Sequence, residues 1–143
     1  MKRKAYRAYV KGRRAEYQLI RILQERGWAV IRAPASGRRS GLRPGGPAYP
    51  DVVAVKSGRT LVLEVKYRSR MDTVYLHERQ VRILRQWAER SGGEAYVAVK
   101  LAGWKDFKVI PLDRLEPHET LQGKKYRIPI REIENAKWLT EIA

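Results

Sequence analysis

Cysteine is absent from this chain of 143 residues, and histidine occurs only at positions 77 and 118. Without cysteine there can be no disulfides, thiol nucleophiles, iron–sulfur clusters or cysteine zinc sites. Two histidines leave little material for histidine-based catalysis or metal binding. No apolar run approaches the roughly 20 residues of a membrane span, and the basic N-terminus lacks the apolar stretch of a signal peptide. We therefore expect a cytoplasmic protein with no membrane partner.

Positive charge, by contrast, is in large excess. Lys and Arg together number 31 and Asp and Glu 15, which gives a net charge of +16 with histidine neutral. Self-repulsion of this size is tolerated more readily when a polyanion supplies the counter-charge. We therefore predict a nucleic-acid partner and, within the cytoplasm, association with the nucleoid.

The length is that of one domain, and we predict a single domain over 1–143. Residues 1–10 form a basic lead, 33–50 a flexible basic loop rich in Gly, Pro and Ser, and 112–143 a C-terminal extension of open role. Apolar periodicity predicts an order α-β-(β-β)-α-β-β-α, which favours a mixed α/β fold with helices flanking a central sheet. The predicted elements are a helix over 11–26, strands over 28–32, 51–56 and 60–67, a helix over 76–90, strands over 94–101 and 106–112, an irregular stretch over 112–125 and a helix over 129–142.

Two acidic residues and one lysine fall on the predicted hairpin around the Ser57-Gly58 turn. Glu64 and Lys66 share one strand face, roughly 6–7 Å apart, and the hairpin can bring Asp51 beside Glu64. Carboxylates with open water positions suit Mg²⁺, and a lysine beside them can stabilise negative charge at an attacked phosphate. A solvated strand face would show the same spacing, but charges within an otherwise apolar strand are costly unless paired or functional. The arrangement therefore favours a nuclease.

The residues Pro50-Asp51 and Glu64-Val65-Lys66 resemble the PD-(D/E)xK nuclease signature. From Lys11 to about Pro111 the chain resembles the archaeal Holliday-junction resolvases of that superfamily, with a G-x-x-A-E helix start and an R-x-x-x-S motif after the first strand. The resemblance implies a restriction-endonuclease-like fold. It implies catalytic roles for Glu16, Ser36, Asp51, Glu64 and Lys66, metal ligation by Glu16, Asp51 and Glu64, and DNA binding by Arg32 and Lys100.

Glu16 and the basic clusters can also be interpreted from position alone. Glu16 could tip from the margin of the first helix towards the sheet, or remain a solvated residue near the positive helix N-terminus. The cations at the start of this helix oppose the macrodipole, so phosphate binding explains them better than helix stability does. The expected phosphate contacts outside the motifs are Lys11, Arg13, Arg14, Arg38 and Arg39.

Some features depart from the family pattern. Tyr17 stands where these resolvases often have an arginine, and Arg13 or Arg14 could compensate for it. The loop before Asp51 looks longer than usual, and the extension from Leu112 has no equivalent in the motifs.

The resemblance implies a metal-dependent endonuclease, using Mg²⁺ or in its place Mn²⁺, that resolves four-way DNA junctions as a homodimer and leaves 5′-phosphate and 3′-hydroxyl ends. The alternatives are a restriction- or repair-type nuclease of the same fold and a non-catalytic basic protein of the architectural or ribosomal kind.

Overall fold

The structure is a computed structural model that describes residues 2–33 and 48–143. Four helices and nine strands form within these residues, together with one 3₁₀ turn at Leu112–Arg114. In chain order they are α1 (Lys2–Glu25), β1 (Ala29–Arg32), β2 (Val52–Lys56), β3 (Arg59–Arg68), β4 (Val74–His77), α2 (Glu78–Ser91), β5 (Glu94–Leu101), β6 (Lys108–Pro111), β7 (Glu116–Thr120), β8 (Gly123–Ile128), α3 (Ile130–Asn135), β9 (Lys137–Trp138) and α4 (Leu139–Ile142).

A mixed sheet of six strands lies at the centre, in the order β1-β2-β3-β5-β6-β9. The strands β3 and β5 are parallel, with Leu63 opposite Tyr96, and the other neighbours pair antiparallel. The crossover between these two strands is α2, as a parallel connection requires. The expected α/β architecture, a central mixed sheet flanked by helices, is confirmed.

Alternation along β3 divides the core into two layers, because successive side chains of a strand point to opposite faces. Leu61 and Leu63 pack against Leu19 and Leu23 of α1, whereas Val62 packs with Leu84 of α2 on the other face. All six side chains are fully buried. The strand that carries Glu64 is therefore fixed from both sides.

The predicted start of the first helix at Lys11 is wrong, because α1 begins at Lys2 and includes the basic lead. Residues 2–11 contain no glycine or proline, and Ala5 and Ala8 are strong helix formers. Like charges one turn apart on a helix destabilise it by only a few tenths of a kcal/mol per pair. The absence of apolar periodicity in the lead reflects exposure of this segment, not loss of the helix.

The expectation of an irregular stretch over 112–125 is also wrong. A three-stranded sheet in the order β4-β8-β7 forms there, with Leu76 opposite Tyr126. Pairing with β8 also makes Val74–His77 a strand, so α2 begins at Glu78 and not at Leu76. The strands β7 and β8 are polar and partly exposed, which hides the alternation by which strands are detected.

The C-terminal helix predicted over 129–142 is interrupted. It divides into α3 and α4 because Lys137–Trp138 between them pairs with β6 as the sixth strand of the central sheet. The C-terminal extension thus contributes to both sheets. Within the described residues no helix is long and apolar enough to cross a membrane.

Candidate active site

Asp51 and Glu64 are brought together by the β2–β3 hairpin. Val52 is opposite Leu63 in the register. Asp51, immediately before β2, therefore lies beside Glu64 of β3. The backbone N–H of Val65 donates to Oδ2 of Asp51 at 2.9 Å. Both acidic residues are 7% exposed. The sequence prediction that the hairpin would juxtapose these two carboxylates agrees with this geometry.

The two carboxylates are electrostatically strained. Burial raises the pKa of Asp51, and hydrogen bonding from Val65 opposes this effect. Burial, followed by the negative charge of Asp51, raises the pKa of Glu64 well above its usual range, while Lys66 lowers it. Loss of hydration and a like charge nearby both disfavour the ionised form of an acid. The pair therefore favours any bound cation that neutralises it.

Two donors reach the same oxygen of Glu64. The Lys66 ammonium nitrogen lies 3.5 Å from Oε2, as expected from the shared face of β3. The side-chain amide of Gln80, on the first turn of α2, donates to Oε2 at 3.1 Å. Gln80 is not among the residues predicted from the sequence. A signal was available, since Gln three residues after the N-cap of a helix is the last position of a capping box.

Glu16 is not brought to the carboxylate pair. Nε of Arg32 donates to Oε1 of Glu16 at 2.7 Å, and Glu16 is 7% exposed. Within residues 2–33 and 48–143, no three acidic or histidine side chains come close enough together to hold a metal ion. Arg32 nevertheless belongs to the same electrostatic neighbourhood, because its charge lowers the pKa of Asp51.

Tyr17, in the middle of α1, contacts one arginine of its own helix and one of β1. The guanidinium carbons of Arg13 and Arg32 lie 5.7 and 5.3 Å from the centre of its ring, distances at which cation–π attraction operates. An Nη of Arg13 also lies 3.5 Å from the Tyr17 hydroxyl. Arg13, expected as a phosphate contact, is thereby linked to Arg32 through the tyrosine.

The remaining basic residues of the prediction fall into three groups. Lys11 and Arg14 are both exposed on α1. Lys100 is buried, with its ammonium 5.7 Å from the ring centre of Tyr67. It lies two residues after Ala98, which packs in the α1 layer, and thus on the opposite sheet face from Lys66. The predicted residues Ser36, Arg38 and Arg39 lie outside the described residues.

Comparison with known proteins extends the resemblance beyond these motifs. The profile of the archaeal Holliday junction resolvase (Hjc) family matches residues 7–142, so the match includes the C-terminal extension. The crossover junction endodeoxyribonuclease Hjc of Sulfurisphaera tokodaii is 34% identical over 132 residues, covering 92% of this chain and 85% of that protein. The protein of the same name from Sulfolobus acidocaldarius is 37% identical over 109 residues, covering 76% and 71%.

A solved structure shows the same likeness. The crystal structure of Archaeoglobus fulgidus Hjc, described as a Holliday junction resolvase from an archaeal hyperthermophile, aligns with a TM-score of 0.73 at 29% sequence identity. The alignment covers 92% of this chain and 94% of that one.

Proposed function

The chain belongs to the archaeal Holliday junction resolvase family, and we propose that it cuts four-way DNA junctions at the carboxylate pair of Asp51 and Glu64. The activity is that of a crossover junction endodeoxyribonuclease. Water attacks the scissile phosphorus and the 3′-oxygen leaves, so each cut has a 5′-phosphate and a 3′-hydroxyl. The observation that carries this assignment is the burial of two adjacent carboxylates in a protein with a net charge of +16.

A divalent cation fits the residues of the site. Asp51 and Glu64 are buried side by side with raised pKa values, and hard carboxylate oxygens suit Mg²⁺, which proteins usually hold by one or two carboxylates plus substrate phosphates. We assign these two residues as its ligands, with Mn²⁺ able to substitute. Glu16, whose Oε1 accepts from Arg32, remains a sequence-based candidate for a third ligand and for a catalytic role. When bound, such an ion lowers the pKa of water and stabilises charge on the phosphate.

Lys66 places a positive charge beside the carboxylate pair. Its ammonium lies within 3.5 Å of Glu64 and projects from the same face of β3. A fixed positive charge at this position orients the attacking water and stabilises the negative charge that develops on the phosphate in the transition state. We therefore assign Lys66 to the chemical step.

The basic middle segment of α1, together with Arg32 of β1, is the proposed docking surface for the DNA backbone. Arg13 and Arg32 stack on Tyr17, and Lys11 and Arg14 lie on the same segment of helix. Phosphate contacts of this kind position a nucleic acid without reading its sequence. Recognition by the shape of the branch and by backbone charge follows from such a surface. Arg38, Arg39 and Lys100 remain sequence-based candidates for further contacts, and Ser36 for a catalytic one.

A four-way junction has two strands to cut, so resolution requires two active sites in a fixed relation. We propose that a two-fold homodimer supplies them on a substrate of matching symmetry, within the cytoplasm where the nucleoid lies. Light scattering on the purified protein measures the mass directly, and a mass of about one chain at the working concentration would contradict the dimer.

The decisive experiment compares substrates at a single enzyme concentration with Mg²⁺. A four-way junction and a linear duplex of the same arm sequence are incubated with the wild-type protein and with Asp51→Asn. We expect paired, symmetric cuts in the junction, little cleavage of the duplex and none by the variant. Equal cutting of the duplex would contradict junction specificity, and cleavage by Asp51→Asn near the wild-type rate would contradict the assignment of the site.

A further inference from the structure

The side-chain amide of Gln80 makes two hydrogen bonds, one through its oxygen and one through its nitrogen, and the first fixes the orientation of the second. Its Oε1 accepts the backbone N–H of His77 at 3.0 Å, and its Nε2 donates to Oε2 of Glu64 at 3.1 Å. A backbone N–H can only donate, so the amide oxygen must face His77. The amide NH₂ must then face the carboxylate.

We propose that Gln80 is a positioning residue for Glu64, holding its carboxylate in the orientation that receives a divalent cation together with Asp51. This inference rests on the proposed function of the carboxylate pair. Gln80 is half-buried, and it binds the same oxygen that Lys66 contacts. Two donors on one oxygen fix the rotation of the carboxylate group, which a single salt bridge to a flexible lysine does not do.

The same geometry gives the C-terminal extension a part in the site. His77 is the last residue of β4 and lies opposite Lys125 of β8. It is also the N-cap of α2, with Gln80 three residues further on. The strand that the extension supplies therefore holds the backbone N–H that orients Gln80. The second sheet is connected to Glu64 through one side chain.

Two substitutions separate this role from helix capping. Gln80→Glu keeps an oxygen that accepts the His77 N–H, as Glu does in a capping box, but it cannot donate to Glu64 when ionised. Gln80→Leu removes both contacts. Gln86→Leu, at an exposed glutamine of the same helix, is the matched control for loss of a glutamine from α2.

The measurements are the single-turnover rate of junction cleavage at saturating Mg²⁺, Mn²⁺ affinity by calorimetry without DNA, and junction affinity in EDTA. Loss of a residue that orients a metal ligand typically costs 10–100-fold in metal affinity or activity. We expect Gln80→Leu to bind Mn²⁺ 10–100-fold more weakly, both Gln80 variants to cut at least tenfold more slowly, and junction affinity in EDTA to stay within threefold. Gln86→Leu should match the wild type in all three.

Either of two results would overturn the proposal. If Gln80→Glu cuts at the wild-type rate while Gln80→Leu does not, Gln80 serves only as a helix cap. If Gln80→Leu binds Mn²⁺ as tightly as Gln86→Leu, the Gln80 side chain does not position the Glu64 carboxylate. Failure of the proposed function would give a different result from failure of this inference. The wild type would then leave junctions uncut, or Asp51→Asn would cut them.

Discussion

Replacing Lys66 by alanine tests the catalytic assignment most directly. The substitution removes an ammonium group 3.5 Å from Oε2 of Glu64, in a site where the two side chains are only 17% and 9% exposed. At an effective dielectric constant of about 20, unit charges at this distance interact by roughly 5 kcal/mol. Only the part that is stronger in the transition state than in the bound substrate affects the chemical step.

The magnitude of that part can be bounded. Removal of one preorganised electrostatic group from an active site typically lowers the rate by 10²–10³, or about 2.7–4 kcal/mol. We expect a loss of this size for Lys66→Ala. Binding should change little, because each phosphate contact is one among many on a strongly basic surface. Lys66→Arg should restore only part of the rate, since a planar guanidinium does not reproduce a compact ammonium group.

The assay is single-turnover cleavage of a four-way junction with enzyme in excess and saturating Mg²⁺, accompanied by junction affinity in EDTA and thermal unfolding. Lys105→Ala is the control, because Lys105 is an exposed lysine on the loop after β5. A folded Lys66→Ala variant that cuts within threefold of the wild type would refute the reasoning. The Glu64–Lys66 pattern would then be a charged strand face without catalytic function.

Three further predictions concern charge and packing. At pH 7 without divalent cations, Asp51→Asn should melt at a higher temperature than the wild type. Burial raises the folded-state pKa of Asp51, so ionisation above its ordinary pKa favours the unfolded chain. The gain in melting temperature should vanish as the pH falls below that ordinary pKa. Replacing Arg13 and Arg14 together by alanine should flatten the dependence of log K on log salt by up to about 1.8, at roughly 0.9 per phosphate contact; an unchanged slope would place the DNA elsewhere. Phe107 is the one phenylalanine of the chain and is fully buried, so Phe107→Ala should cost about 3–5 kcal/mol in denaturant unfolding, and a loss below about 1 kcal/mol would contradict its place in the core.

The hairpin and its carboxylates could be predicted because each rests on local rules. The turn at Ser57-Gly58 fixes the pairing of β2 with β3, and with it the register that places Asp51 beside Glu64. The period of two along a strand then places Lys66 on the face of Glu64. Neither step requires knowledge of distant parts of the chain. The bounds of β5 are predictable for the same reason, since an apolar run follows two glycines.

The features that could not be predicted depend on partners far away in the sequence. Val74–His77 has too few residues to be recognised as a strand, and its pairing with β8 joins segments about fifty positions apart. Lys137–Trp138 looks like part of a helix until β6 is known to lie beside it. The contact of Glu16 with Arg32 is likewise a tertiary one. Helical position alone left open whether Glu16 faces solvent or the sheet.

The placement of Glu64 in β3 links stability to function. Leu61, Val62 and Leu63 are fully buried immediately before Glu64, so one strand supplies both the centre of the core and a candidate ligand. Burial disfavours the ionised form of both carboxyl groups, which is the main reason why both pKa values rise, and the charge of Asp51 raises the pKa of Glu64 further. Packing on both faces prevents the strand from moving to relieve this repulsion. Lys66 and Arg32 offset part of the cost of ionising the pair. At neutral pH a divalent ion held between the two carboxylates should offset more of it, and so both complete the site and stabilise the fold.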